Sequence, residues 1–105
     1  MKPQNLLMPT AEKILAQVGQ NIKLARLRRR HKISEISERT NIGRNTISLI
    51  EKGSPKVSIG KYLNVLFTLG LENDFLVIAR DDESGRELQD AELNRKMRVR
   101  SQKIV

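Results

Sequence analysis

Between Ile33 and Lys52 the chain has room for two short helices and only three residues, Asn41, Ile42 and Gly43, to join them. Ile33 and Ile36 lie on one side of the first segment, which is expected to end near Thr40. Ile47 and Ile50 lie on the inner side of the second, which is expected to run from Arg44 to Lys52 and stop at Gly53, a glycine suited to closing a helix. Gly43 is acceptable as the N-cap of the second helix. Such a pair, joined by a tight turn and opening its second member with polar residues, is the arrangement that lays one helix in the major groove of duplex DNA.

The rest of the chain reads as helix on either side of this pair. Thr10 is a reasonable N-cap for a first helix in which Ile14, Val18, Ile22 and Ala25 recur every three or four residues, with Gly19 as its weak point and an end near Arg30. After Ser54 and Pro55, Ser58 can cap a fourth helix carrying Ile59, Tyr62, Leu63, Leu66 and Leu69, closed by Gly70. Residues 72–80 fit a fifth helix better than a strand. The expected class is all-α. Three parts are expected: an N-terminal arm or helical extension (1–18), a helix-turn-helix domain (19–80) and a charged tail (81–105), the last loosely ordered without a partner.

Charge says more by its distribution than by its total of +8. Residues 1–61 hold 13 Lys and Arg against 4 Asp and Glu, residues 62–94 hold 2 against 8, and residues 95–105 hold 5 against none. A basic first half favours polyanions through counterion release. With only Tyr62, Phe67 and Phe75 as aromatics, the chain is poorly supplied for stacking single-stranded bases, so duplex DNA is the better partner. The absence of cysteine excludes disulfides and thiolate metal sites, and no apolar run approaches the roughly 18 residues of a membrane span. Met1 to Thr10 lacks a signal-peptide pattern, which leaves a cytoplasmic protein as the expectation.

The candidate readers are the outward residues of the second helix of the pair: Arg44, Asn45, Thr46, Ser48 and Leu49. Arg can bond a guanine edge bidentately, Asn an adenine edge, and Leu can touch a thymine methyl. Arg28, Lys32, Lys52 and Lys56 are the candidate phosphate contacts, although Arg28 to Arg30 could equally be a solvated helix end complementing the helix dipole. Leu49 could belong to the core, and Glu51 is expected to pair with a nearby cation because a carboxylate facing phosphates is repelled. No cofactor or metal is expected, since His31 is the only histidine and is isolated. Catalysis is the weakest reading: there is no Gly-rich phosphate loop, and Glu35 with Glu38 reads as a solvated face.

The segments GQNIKLARLRRR, ISERTNIGRNTISLIEKG and VSIGKYLNVLFTLGL resemble the Cro/lambda-repressor (XRE) class of helix-turn-helix proteins over about residues 19–71. The continuation LENDFLVIARDDESGRELQDAEL resembles the HipB-like branch, transcriptional regulators paired with HipA-type kinase toxins. The resemblance implies a five-helix lambda-repressor-like fold, a homodimer on a palindromic operator, repression of its own operon and a HipA-like kinase partner. It places the recognition positions on Arg44, Asn45, Thr46, Ser48 and Leu49. The chain departs from the class at Lys32 and Ile33, where Ser or Thr followed by Gln is common, at Ser37 in place of Ala, and at Asn41 in place of the turn glycine. Lys32 could replace the usual Gln phosphate contact by its charge.

One recognition helix reads too few base pairs to be selective, so a second copy is expected, its helix about one DNA turn, roughly 34 Å, away. Val65, Phe67, Phe75, Leu76 and Ala79 exceed what a small core needs and are the candidate subunit interface. The acidic stretch 81–94 could dock on a basic surface, and Arg95 to Lys103 could add non-specific DNA affinity. A stand-alone phage-type repressor, or a protein whose main role is to restrain a partner kinase, remain the alternatives.

Overall fold

The computed structural model describes residues 7–103, with side-chain surroundings for residues 7–100. Those residues form helices α1 (Pro9–Arg28), α2 (Ile33–Thr40), α3 (Arg44–Glu51) and α4 (Ile59–Thr68), a 3-10 helix (Glu72–Val77) and α5 (Glu83–Lys103). No strand occurs among the described residues, so the protein is all-α. No helix among them is long and apolar enough to cross a membrane. The chain divides into two compact units, one ending at Phe75 and one beginning at Leu76.

The core of the first unit is made by one apolar stripe from each helix. Ile22 and Ala25 come from α1, Ile36 from α2, Ile47 and Ile50 from α3, and Tyr62, Val65 and Leu66 from α4, with Ile42 and Leu69 added from just outside the helices. Leu15, Ile33, Val57, Leu71 and Phe75 close its edge. In this unit α1 packs on α3, α3 on α2, and α2 on α4. The Tyr62 hydroxyl donates to the Ser54 carbonyl at 2.7 Å, tying α4 to the loop that follows α3.

Three helices end in the same way. After α1, α3 and α4 the chain enters the left-handed region at Arg30 (φ 55°), Gly53 (φ 73°) and Gly70 (φ 78°). In each case the next amide reaches back, from His31 to the Arg26 carbonyl, from Ser54 to Leu49 and from Leu71 to Leu66. This double-bonded stop satisfies carbonyls that a helix end would otherwise leave open.

Several sequence expectations are corrected. The first helix starts at Pro9 with Met8 as its N-cap, not at Thr10, because proline is pre-organised for the first helical position. It continues unbroken through Gly19, which is buried where α1 meets α3. A Cβ there would lie 2.5 Å from the Gly53 nitrogen and 2.6 Å from the Ile50 carbonyl oxygen. A Cβ on Gly53 would in turn meet the backbone of Leu15 and Ala16. Residues 72–80 form neither a regular α-helix nor a strand but a short 3-10 helix over Glu72–Val77. Ile59 is 70 % exposed rather than buried, and Val65, expected at a subunit interface, is a core residue at 1 % exposure. Phe67, Leu76 and Ala79 are exposed and Phe75 is half-buried.

The expectation of a loosely ordered tail is also corrected, since the chain from Glu83 to Lys103 is helical. Apolar periodicity gave no sign of it; three other causes suffice. The Asp82 carboxylate accepts the Gly85 amide at 3.1 Å and so caps the N-terminus. Acidic residues then lead and basic residues follow, the order that complements the helix dipole, and Glu92 bonds Arg95 through both carboxylate oxygens, at 2.6 and 3.1 Å.

The close approach at Gly19 and Gly53 makes a direct prediction. Gly19→Ala should destabilise the first unit by about 1 to 3 kcal/mol, as overpacking does, despite alanine's better helix propensity. Urea unfolding measures this; a stabilised variant would show that the α1–α3 contact is looser than described.

Candidate nucleic-acid interface

Besides the shared core, one buried ion pair ties the helix pair to α1. Arg26 points from α1 into the interior, where its Nε bonds Glu51 Oε2 at 2.7 Å and its Nη2 bonds Glu51 Oε1 at 2.9 Å. Its Nη1 donates to the His31 carbonyl at 2.9 Å, fixing the turn after α1 as well. Each partner is 8 % exposed. The bidentate bond to Glu51 raises the Arg26 pKa further above its ordinary value, against the opposing effect of burial.

The turn between α2 and α3 is fixed by α2's own hydroxyls. Ser37 Oγ donates to the Ile42 carbonyl at 2.6 Å, and Thr40 Oγ1 accepts the Ile42 amide at 3.2 Å while donating to the Ile36 carbonyl at 2.7 Å. Asn41 takes the left-handed conformation at φ 58°, the role a turn glycine would otherwise fill, and Ile42 is buried. Sequence reasoning flagged Ser37 only as a departure; here its hydroxyl determines where α3 begins. At the start of α2, the Glu35 carboxylate bonds His31 Nδ1 at 3.1 Å and the Lys32 amide at 3.3 Å. Those two bonds, His31 foremost, hold the Glu35 carboxyl below the usual carboxylate range.

With Ile47, Ile50 and Glu51 turned inward, α3 presents Arg44, Asn45 and Lys52 fully outward and Thr46 and Ser48 half-exposed beside them. Leu49 is 42 % exposed, so it lies outside the core. Arg28, Lys32 and Lys56 are exposed too. Glu51 is the only acidic residue of α3, and Arg26 holds it away from the surface. The outer face of α3 therefore carries only cations, amide, hydroxyls and one apolar side chain. Its first turn has no carboxylate to offset the positive end of the helix dipole, a favourable setting for phosphate.

A cleft of about 460 Å³ runs along the inner flank of this face, lined by Gln20 and Lys23 of α1, by Ser48 of α3 and by Lys52 just after it, with the Arg26–Glu51 pair between them. Gln20 and Lys23 were not among the candidates read from the sequence. The available signal was their spacing: they immediately follow Gly19 and Ile22, which lie on the buried side of α1.

The Arg26–Glu51 pair carries its own prediction. Arg26→Ala should cost about 3 kcal/mol of stability, the lower end of the range for breaking a buried pair, because the cleft brings solvent to one side. The double variant Arg26→Met, Glu51→Leu should recover most of that loss, since no buried charge is left unpaired. Equal losses in the two proteins, by urea unfolding, would mean that an unpaired Glu51 is not the cause of the single variant's loss.

No family model, no curated protein and no solved structure matches the chain, so the meaning of this surface rests on its own residues and geometry.

Proposed function

We propose that the chain is a sequence-specific double-stranded DNA-binding protein of lambda-repressor-like fold that acts as a transcriptional repressor, with α3 as the helix that enters the major groove. The observation that carries this reading is the outer face of α3, free of acidic charge because Glu51 is paired inside, and set by a rigid turn after α2. Arg44, Asn45 and Leu49 are the base readers; Thr46 and Ser48 contact base or phosphate. Lys32, Lys52, Lys56 and Arg28 bind phosphate and set the register. A homodimer on an inverted repeat provides the selectivity one short helix lacks, and exposed Phe67 and Leu76 with half-buried Phe75 remain available for its interface.

The resemblance of the sequence to the HipB-like branch supports a finer reading: an autorepressor and antitoxin working with a HipA-type kinase. Copurification from cells that express the adjacent reading frames should then recover a kinase-like protein with the chain. A stand-alone phage-type repressor would recover none.

Selection of bound duplex fragments from genomic DNA at about 150 mM salt tests the DNA reading. The wild type should enrich an inverted repeat upstream of its own gene. Arg44→Ala should lose that preference, by about 1 to 3 kcal/mol per copy, while keeping weak salt-sensitive binding. A wild type that enriches nothing would remove α3 as a reader of sequence.

A further inference from the structure

Helix α5 is exposed along its length: every side chain from Arg86 to Arg100 faces solvent, and Leu93 and Met97 are 56 % and 58 % exposed. Its charge inverts midway. Glu83, Glu87, Asp90 and Glu92 occupy the first half with Arg86 as the one cation, and Arg95, Lys96, Arg98 and Arg100 follow with no acid among them. Two such helices side by side in parallel would set like charge against like. Reversed, each acidic half lies on a basic half.

The apolar residues fix how such a pair would sit. Asp90, Leu93, Met97 and Arg100 are spaced three, four and three apart, so they form one stripe, and that stripe is symmetric about position 95. Reversing one copy about that position puts Leu93 against Met97 and Asp90 against Arg100 at each end. We infer that α5 is a self-recognition helix that pairs antiparallel with α5 of a second copy of this chain, with Leu93 and Met97 at the centre and opposite charges at both ends. This deepens the dimeric reading above by adding contacts made by residues other than Phe67 and Phe75. The small apolar centre makes the pairing weak and salt-sensitive, because most of the attraction is between exposed charges.

The chain has no cysteine, so an introduced one reports its own position. The full-length Leu93→Cys and Met97→Cys variants are mixed without DNA at about 50 mM salt and mildly oxidised, with Leu88→Cys, on the opposite side of the helix, as control. The expected result is a mixed cross-link between the first two variants that exceeds either like-with-like product and the control, and that fades near about 1 M salt. Reversing Asp90 to Lys in the Leu93→Cys copy should reduce the mixed product about threefold, and adding Arg100→Glu to the Met97→Cys copy should restore it. Circular dichroism of each variant checks that the helix persists. Equal cross-linking at all positions, dominant like-with-like products, or none at all would overturn the pairing. Because no DNA is present, any of these leaves the reading of α3 standing.

Discussion

The position of α3 depends on Arg26. A buried guanidinium that meets a carboxylate with two parallel bonds tolerates little change in angle or distance, so α1 and α3 have one mutual arrangement in which the charges are satisfied. Its third bond, to the His31 carbonyl, extends that constraint to the turn leading into α2. Three helices are thus indexed by one side chain. The glycines at 19 and 53 are a requirement of this arrangement, since they permit the backbone approach that brings the two charges within reach.

Most of the first unit was legible in the sequence because its signals are local. Isoleucines at helical spacing in α2 and α3, the glycines after α3 and α4, and Asn41 at the turn each state a backbone conformation or a face within a few residues. Glu51 was legible as a paired acid, but not its partner: Arg26 lies 25 positions away, and nothing in the spacing of a basic run separates a buried arginine from its solvated neighbours. Ile59 and Val65 show the opposite difficulty. Both sit on an apolar helix, and only the packing of α1, α2 and α3 determines which side of α4 is covered.

The two units are stabilised by different physics. In the first, helices of eight or ten residues persist because they bury apolar stripes together. In the second, α5 relies on an N-terminal carboxylate cap, residues of high helix propensity and charges ordered along its own dipole. Hydrophobic periodicity is blind to that second route, which is why a polar stretch could be read as a tail and still be a helix of 21 residues.

Along α3 the residues that hold the fold and those that face outward do not overlap: Ile47, Ile50 and Glu51 do the first, and Arg44, Asn45, Leu49 and Lys52 do the second. Substitutions at the outward positions therefore leave the interior intact, so that surface is free to change over evolutionary time at little cost in foldability. Descendants of such a chain can diverge in what they bind while remaining superimposable in their backbone, and the inward residues will record ancestry long after the outward ones have lost it.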